Sequence, residues 1–184
     1  INIHSSTWFW YSKAVLDKAG VTEPKSEAEF WTALDKIKAS GQIAFAQSGT
    51  ATYERGTFNT VLLHMGGRDL YMKFYEGKDA NTVKSPEFRA VIEKFKKLRT
   101  YADAGFAGRP WNDTTALLVT DKAGFQTVGD WAKGEFLAAG KTAGKEFGCF
   151  SGWGPKAGYM ISDNVFVLSK TRNKEAQSAQ KLMT

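Results

Sequence analysis

The sequence predicts an α/β fold, and three observations carry that prediction. Short apolar, β-branched or aromatic runs are interspersed with segments of helical spacing along the chain. One such unit is explicit: the run Ala123–Val128 stops at Gly129-Asp130 and passes into Trp131-Ala132-Lys133-Gly134-Glu135-Phe136, a strand, a turn and a helix in succession. The 184 residues, 42% of them hydrophobic, suffice for one domain with a real core.

In chain order, residues 1–11 read as one strand, because Trp8, Phe9, Trp10 and Tyr11 are too bulky and aromatic for a loop. A helix over 13–19 ends at Gly20, and Pro24 blocks its continuation. Ser26-Glu27-Ala28-Glu29 has the form of a capping box, so a second helix starts there, with Phe30, Leu34 and Ile37 on one face and Gly41 as its stop. A short strand over 43–47 leads into a polar loop over 48–55 that contains Tyr53 and Glu54. Residues 57–65 form a buried helix with Phe58, Val61, Leu62 and Met65 on one side, closed by Gly66-Gly67.

A further helix over 68–75 and a surface loop over 76–84 precede the clearest helix of the chain. It opens at Ser85-Pro86, carries Phe88, Val91, Ile92, Phe95 and Leu98 at helical spacing, and ends near Ala104-Gly105. A shorter helix over 112–120 begins with an Asn or Asp cap. After the strand Ala123–Val128, Asp130 is the expected N-cap of the next helix. That would put Trp131 in the first turn at the carboxyl end of a strand, where ligands of α/β domains sit. A loop over 141–145, a strand over 147–150, a Gly-rich turn over 152–158, a strand over 159–169 and a helical segment over 173–184 complete the chain.

Composition narrows the function classes. The net charge of +6 and the pI near 9.3 allow nucleic acid as a partner, but Lys and Arg are dispersed among Asp and Glu. Only Lys94, Lys96, Lys97 and Arg99 cluster, at helical spacing that marks a solvated face, so nucleic-acid binding is not expected. Cys149 is the single cysteine, which excludes an intramolecular disulfide and a thiolate metal site; an inert buried thiol is expected. No apolar run reaches the roughly 18 residues of a membrane span. His4 and His64 have no metal-ligand spacing, and neither Gly-x-Ser-x-Gly nor a Walker-type loop is present, so no metal or cofactor is expected. Both ends read as cut from a larger protein: Ile1-Asn2-Ile3-His4 is already extended, and 173–184 stops without a Gly or Pro terminator.

Trp8-Phe9-Trp10-Tyr11-Ser12-Lys13, then Ala19-Gly20, Gly66-Gly67 and Gly124 onward through Gly129-Asp130-Trp131-Ala132-Lys133-Gly134-Glu135-Phe136 follow an order that resembles the extracytoplasmic solute-binding proteins of ABC sugar importers. The closest likeness is to the glucose-binding branch of the maltose-binding-protein-like group. The resemblance implies a periplasmic-binding-protein type II fold, of which residues 1–184 would be a single lobe, the carboxy-terminal one. Residues 1–12 would be the hinge strand and 173–184 a truncated helix. It further implies a periplasmic or membrane-tethered protein that encloses a sugar between two lobes without chemistry. Its partners would be the sugar, the missing amino-terminal lobe and ABC permease subunits.

Site residues follow from the same resemblance. Trp131 matches the sugar-stacking Trp, with Asp130 beside it. Where the glucose branch places Asn-x-Asp on sugar hydroxyls, this chain reads Ser162-Asp163-Asn164, a departure that bears on glucose itself. Tyr53 and Glu54 lie where related proteins bring aromatic and acidic groups to the cleft. His4 falls near the cleft mouth, where a structural, hydrogen-bonded role is expected. Two readings compete: Trp131 as a core aromatic, and a carbohydrate-active enzyme with Glu54 or Asp130 as acid or base. Trp8, Trp10, Trp31, Trp111 and Trp153 read as core or surface aromatics.

Overall fold

The computed structural model describes residues 2–153, 161–164, 170 and 173–183. The stretch read as one strand over 1–11 is two strands, β1 (Asn2–Ser5) and β2 (Trp8–Ser12), in different sheets. The cause is tertiary. Thr7 is fully buried, and its carbonyl accepts a hydrogen bond from His64 Nε2 at 2.7 Å, which holds this backbone out of either ladder.

The central sheet has the order β3-β4-β2-β5, with β3 at Ile43–Ala46, β4 at Ala123–Val128 and β5 at Phe147–Phe150. β2 runs antiparallel to both β4 and β5, whereas β3 is parallel to β4. As an inner strand covered on both faces, β4 is buried at all six positions. A separate antiparallel ribbon pairs β1 with β6 (Ile161–Asn164), setting His4 opposite Ser162 and Asn2 opposite Asn164. Of the strand expected over 159–169, only 161–164 falls among the described residues; most of the turn over 152–158 lies outside them.

Helices flank the sheet. α1 (Lys13–Lys18) and α2 (Glu27–Ala39) are capped by Ser12 and Ser26. The Glu29 carboxylate reaches back to the amide of Lys25 at 2.8 Å, one residue before the cap. Phe30, Ala33, Leu34 and Ile37 bury the inner face of α2 in a core shared with Phe9, Phe45 and Phe125.

α3 (Ala51–Val61) begins well before the expected helix, because the Thr50 carbonyl accepts from the amides of Tyr53 and Glu54 at 3.0 and 2.9 Å. The polar loop over 48–55 is thus corrected: Tyr53 and Glu54 are helical. α3 passes into a π-helical turn, Leu62–Gly66, followed by α4 (Arg68–Tyr75). α5 (Pro86–Arg99) starts on Ser85 as expected but ends at Arg99 rather than near 104. The chain leaves the helix there so that the Tyr101 carbonyl can accept from the amide of Phe45 in β3. α6 (Trp111–Val119) follows Pro110 with no side-chain cap, one residue ahead of the expected Asn or Asp. α7 (Ala132–Ala138) and α8 (Lys174–Met183) complete the set.

The basic cluster on α5 is engaged locally: Lys94 pairs with Glu27, Lys96 with Glu93 and Arg99 with Glu54, while Lys97 sits 4.4 Å from the ring centre of Trp31. Cys149, expected inside, is exposed on the outer strand β5; partial desolvation still pushes its thiol pKa up. Among the described residues no helix is long and apolar enough to cross a membrane.

Candidate functional site

A hollow of about 180 Å³ opens where the β1–β2 crossing, α3 and the turn after β4 meet. Ser6 and Thr7 come from the crossing. From α3 come Thr52, Tyr53, Arg55, Gly56 and Asn59. Thr52, Arg55, Gly56 and Asn59 are spaced i, i+3, i+4 and i+7, so the helix turns one stripe toward the hollow. Thr127, Val128, Gly129 and Trp131 close the third side.

A buried chain of hydroxyls and amides fixes α3 against β4. Thr127 Oγ1 donates to Thr57 Oγ1 at 2.8 Å, and Thr57 donates on to the carbonyl of Tyr53 at 3.1 Å. Gln47 Nε2 adds a bond to Thr57 Oγ1 at 3.3 Å. With Gln47, Thr57 and Thr127 buried, these bonds set the height of Tyr53 over the strand.

Trp131 is half-buried beside the hollow, not sealed in the core. Its ring meets Tyr53, Trp111 and His4 edge-on, with centroid separations of 6.4, 6.3 and 5.4 Å. The indole Nε1 is buried and has no hydrogen-bond partner among the described residues.

Asp130 does not cap α7. The helix has no side-chain cap, and the Asp130 carboxylate instead takes the imidazole Nδ1–H of His4 at 3.0 Å and the amide of Ser5 at 3.1 Å. Its own amide donates to the Ser5 carbonyl at 2.8 Å. Long-range bonds to β1 win the carboxylate because the first turn of α7 leaves its amides to backbone partners.

The structure therefore brings His4, Tyr53, Asp130 and Trp131 together. By register Ser162 stands opposite His4, and Asp163 and Asn164 opposite Ile3 and Asn2. Glu54 is directed elsewhere, to Arg99 at 3.3 Å. Neither Glu54 nor Asp130 lines the hollow, and each carboxylate is committed to a partner among the described residues, so neither is set there as an acid or base. Sequence reasoning missed Trp111, Arg55, Asn59 and Thr52. The stripe on α3 becomes readable once that segment is known to be helical.

Burial raises the pKa of the Tyr53 hydroxyl, which keeps it protonated and able to donate as well as accept. Beneath the crossing, desolvation lowers the pKa of His64 against the opposing pull of its bond to Thr7. Among the described residues no His, Cys, Asp and Glu cluster could hold a metal ion.

Together these features define a binding module: an α/β domain with an aromatic-edged hollow lined by hydroxyls, an amide and a guanidinium. The chain belongs to the bacterial extracellular solute-binding protein family, whose model matches residues 1–184. It is 40% identical over 166 residues to a probable sugar-binding periplasmic protein of Mesorhizobium japonicum, covering 90% of this chain and 40% of that one. A protein of the same description from Brucella suis is 39% identical over 170 residues, covering 92% and 40%. The chain thus spans about two fifths of the length of these relatives. Among solved structures, a chitin oligosaccharide binding protein superposes with a TM-score of 0.72 at 20% identity, covering 97% of this chain and 46% of the other, and shares its fold.

Proposed function

We propose that the chain is the carboxy-terminal lobe of the sugar-binding component of an ABC importer, acting in the periplasm or tethered outside the membrane. One observation carries the reading: half-buried Trp131 stands at the edge of a hollow, largely apolar, into which Ser, Thr, Asn and Arg residues also face. An indole with an accessible face stacks on the C–H face of a pyranose, and the surrounding hydroxyls and amide pair with its hydroxyls. The relatives named as sugar-binding periplasmic proteins support the same class.

β1 and β2 are the hinge strand in this reading, and a second lobe closes over the sugar from the opposite side. A permease then receives the closed form. A glucose-like ring is favoured by the motif around Trp131, while Ser162, Asp163 and Asn164 replace the expected pair and shift the hydroxyl pattern that is read. Calorimetry of the full-length protein against a panel of mono- and oligosaccharides tests the proposal. Saturable binding without turnover is expected, and hydrolysis of a chromogenic glycoside would replace it with the enzyme reading.

A further inference from the structure

Arg55 is the only charged residue among the described residues that line the hollow. The acid next to it in sequence and the acid beside Trp131 are already used. Glu54 pairs with Arg99, and Asp130 holds His4 and Ser5. Among the described residues Arg55 pairs with no carboxylate, unlike Arg99 and Arg109, which hold Glu54 and Asp103. A guanidinium stays charged at any physiological pH. Arg55 is exposed, so its cation is hydrated until a ligand covers it, and a neutral ring that did so would remove water without returning a counter-charge.

We propose that the ligand of this hollow is an acidic sugar, a hexuronate-type ring, with Arg55 as the receptor for its carboxylate. This rests on the sugar-binding reading above and names the class of sugar. The guanidinium fork matches one carboxylate in a bidentate pair. Asn59, one turn further along α3, has its Oδ1 taken by the Tyr75 hydroxyl and keeps its Nδ2 to donate, and Thr52, one turn before, adds a hydroxyl for the ring. Gly56, beside Arg55, leaves the wall open: a Cβ there would have no neighbour within 4 Å. That space admits the ring edge carrying the acid.

The test is calorimetry on the full-length protein with glucose and galactose, their uronates and their 6-phosphates, at low and high salt. A uronate is expected to bind at least about tenfold tighter than its parent hexose. Added salt should shrink that advantage. Arg55→Gln should abolish the advantage of the uronate over its parent hexose with the melting temperature nearly unchanged, and Arg55→Lys should retain part of it. Equal affinity for hexose and uronate, or an equal loss for both in Arg55→Gln, would overturn the proposal. Tighter binding of the 6-phosphates would move the assignment to a phosphosugar and overturn the carboxylate. Binding of hexose alone would sink the acidic-sugar inference and leave the sugar reading standing, whereas no binding anywhere in the panel would remove both.

Discussion

The indole of Trp131 lies against the backbone of Gly129: a methyl group on Gly129 would stand 2.2 Å from Cζ3 and 2.3 Å from Cη2 of the ring. Only the absence of a side chain two positions earlier lets the ring occupy this place. Gly129→Ala is expected to push the indole aside, costing about 1–3 kcal/mol of stability through overpacking. Sugar affinity should fall with it. Thermal melts and titration of the same preparation separate the two effects, and an unchanged affinity would detach the ring's position from binding.

Trp131→Ala in the full-length protein is expected to cost about 2 kcal/mol or more of sugar affinity, as for other aromatic anchors at binding sites. Calorimetry reads this directly. A titration indistinguishable from the parent would take Trp131 out of the site.

Asp130 ties the turn after β4 to β1 through His4 and Ser5. Asp130→Ala removes the acceptor for both, at about 1 kcal/mol given the partial exposure of the pair. Hydrogen exchange is the sharper measurement. The amide of Ser5 should lose protection, while amides in β2 keep theirs.

His64 makes stability depend on pH. Desolvation, the larger influence, lowers its folded-state pKa below 6.5, and the bond to the Thr7 carbonyl only partly opposes that. As pH falls, the unfolded chain therefore takes up the proton first, so it binds more protons than the folded chain between the two values. The contribution is present in full above 6.5 and declines as pH drops toward the folded value. Chemical denaturation from pH 8 to pH 5 should show this decline, and His64→Gln should flatten it. An identical pH profile in the variant would place the dependence elsewhere.

Elements set by local rules were legible. The caps at Ser26 and Ser85, the apolar stripe of α2 and the buried run Ala123–Val128 are written in short-range spacing, and the structure keeps them. Features set by distant partners were not. The break between β1 and β2 depends on His64, 57 positions away from Thr7, and the aromatic run around it gives no local sign. Asp130 has the composition of a cap, yet its partners lie 125 and 126 positions away. Tyr53 was not legible as helical, because Thr50 starts α3 without a side-chain cap bond. That error hid the stripe bearing Arg55 and Asn59. Trp111 was passed over because only the packing of α6 on β4 brings its ring to Trp131.

The bond from Asp130 to His4, whose imidazole meets Trp131 at its edge, has an optical consequence. Any movement of the first strand carries the imidazole with it and alters the surroundings of the neighbouring indole, whose emission answers to nearby quenchers. In a variant that keeps Trp131 as its single tryptophan, out of six, that emission is expected to gauge strand motion without an attached dye.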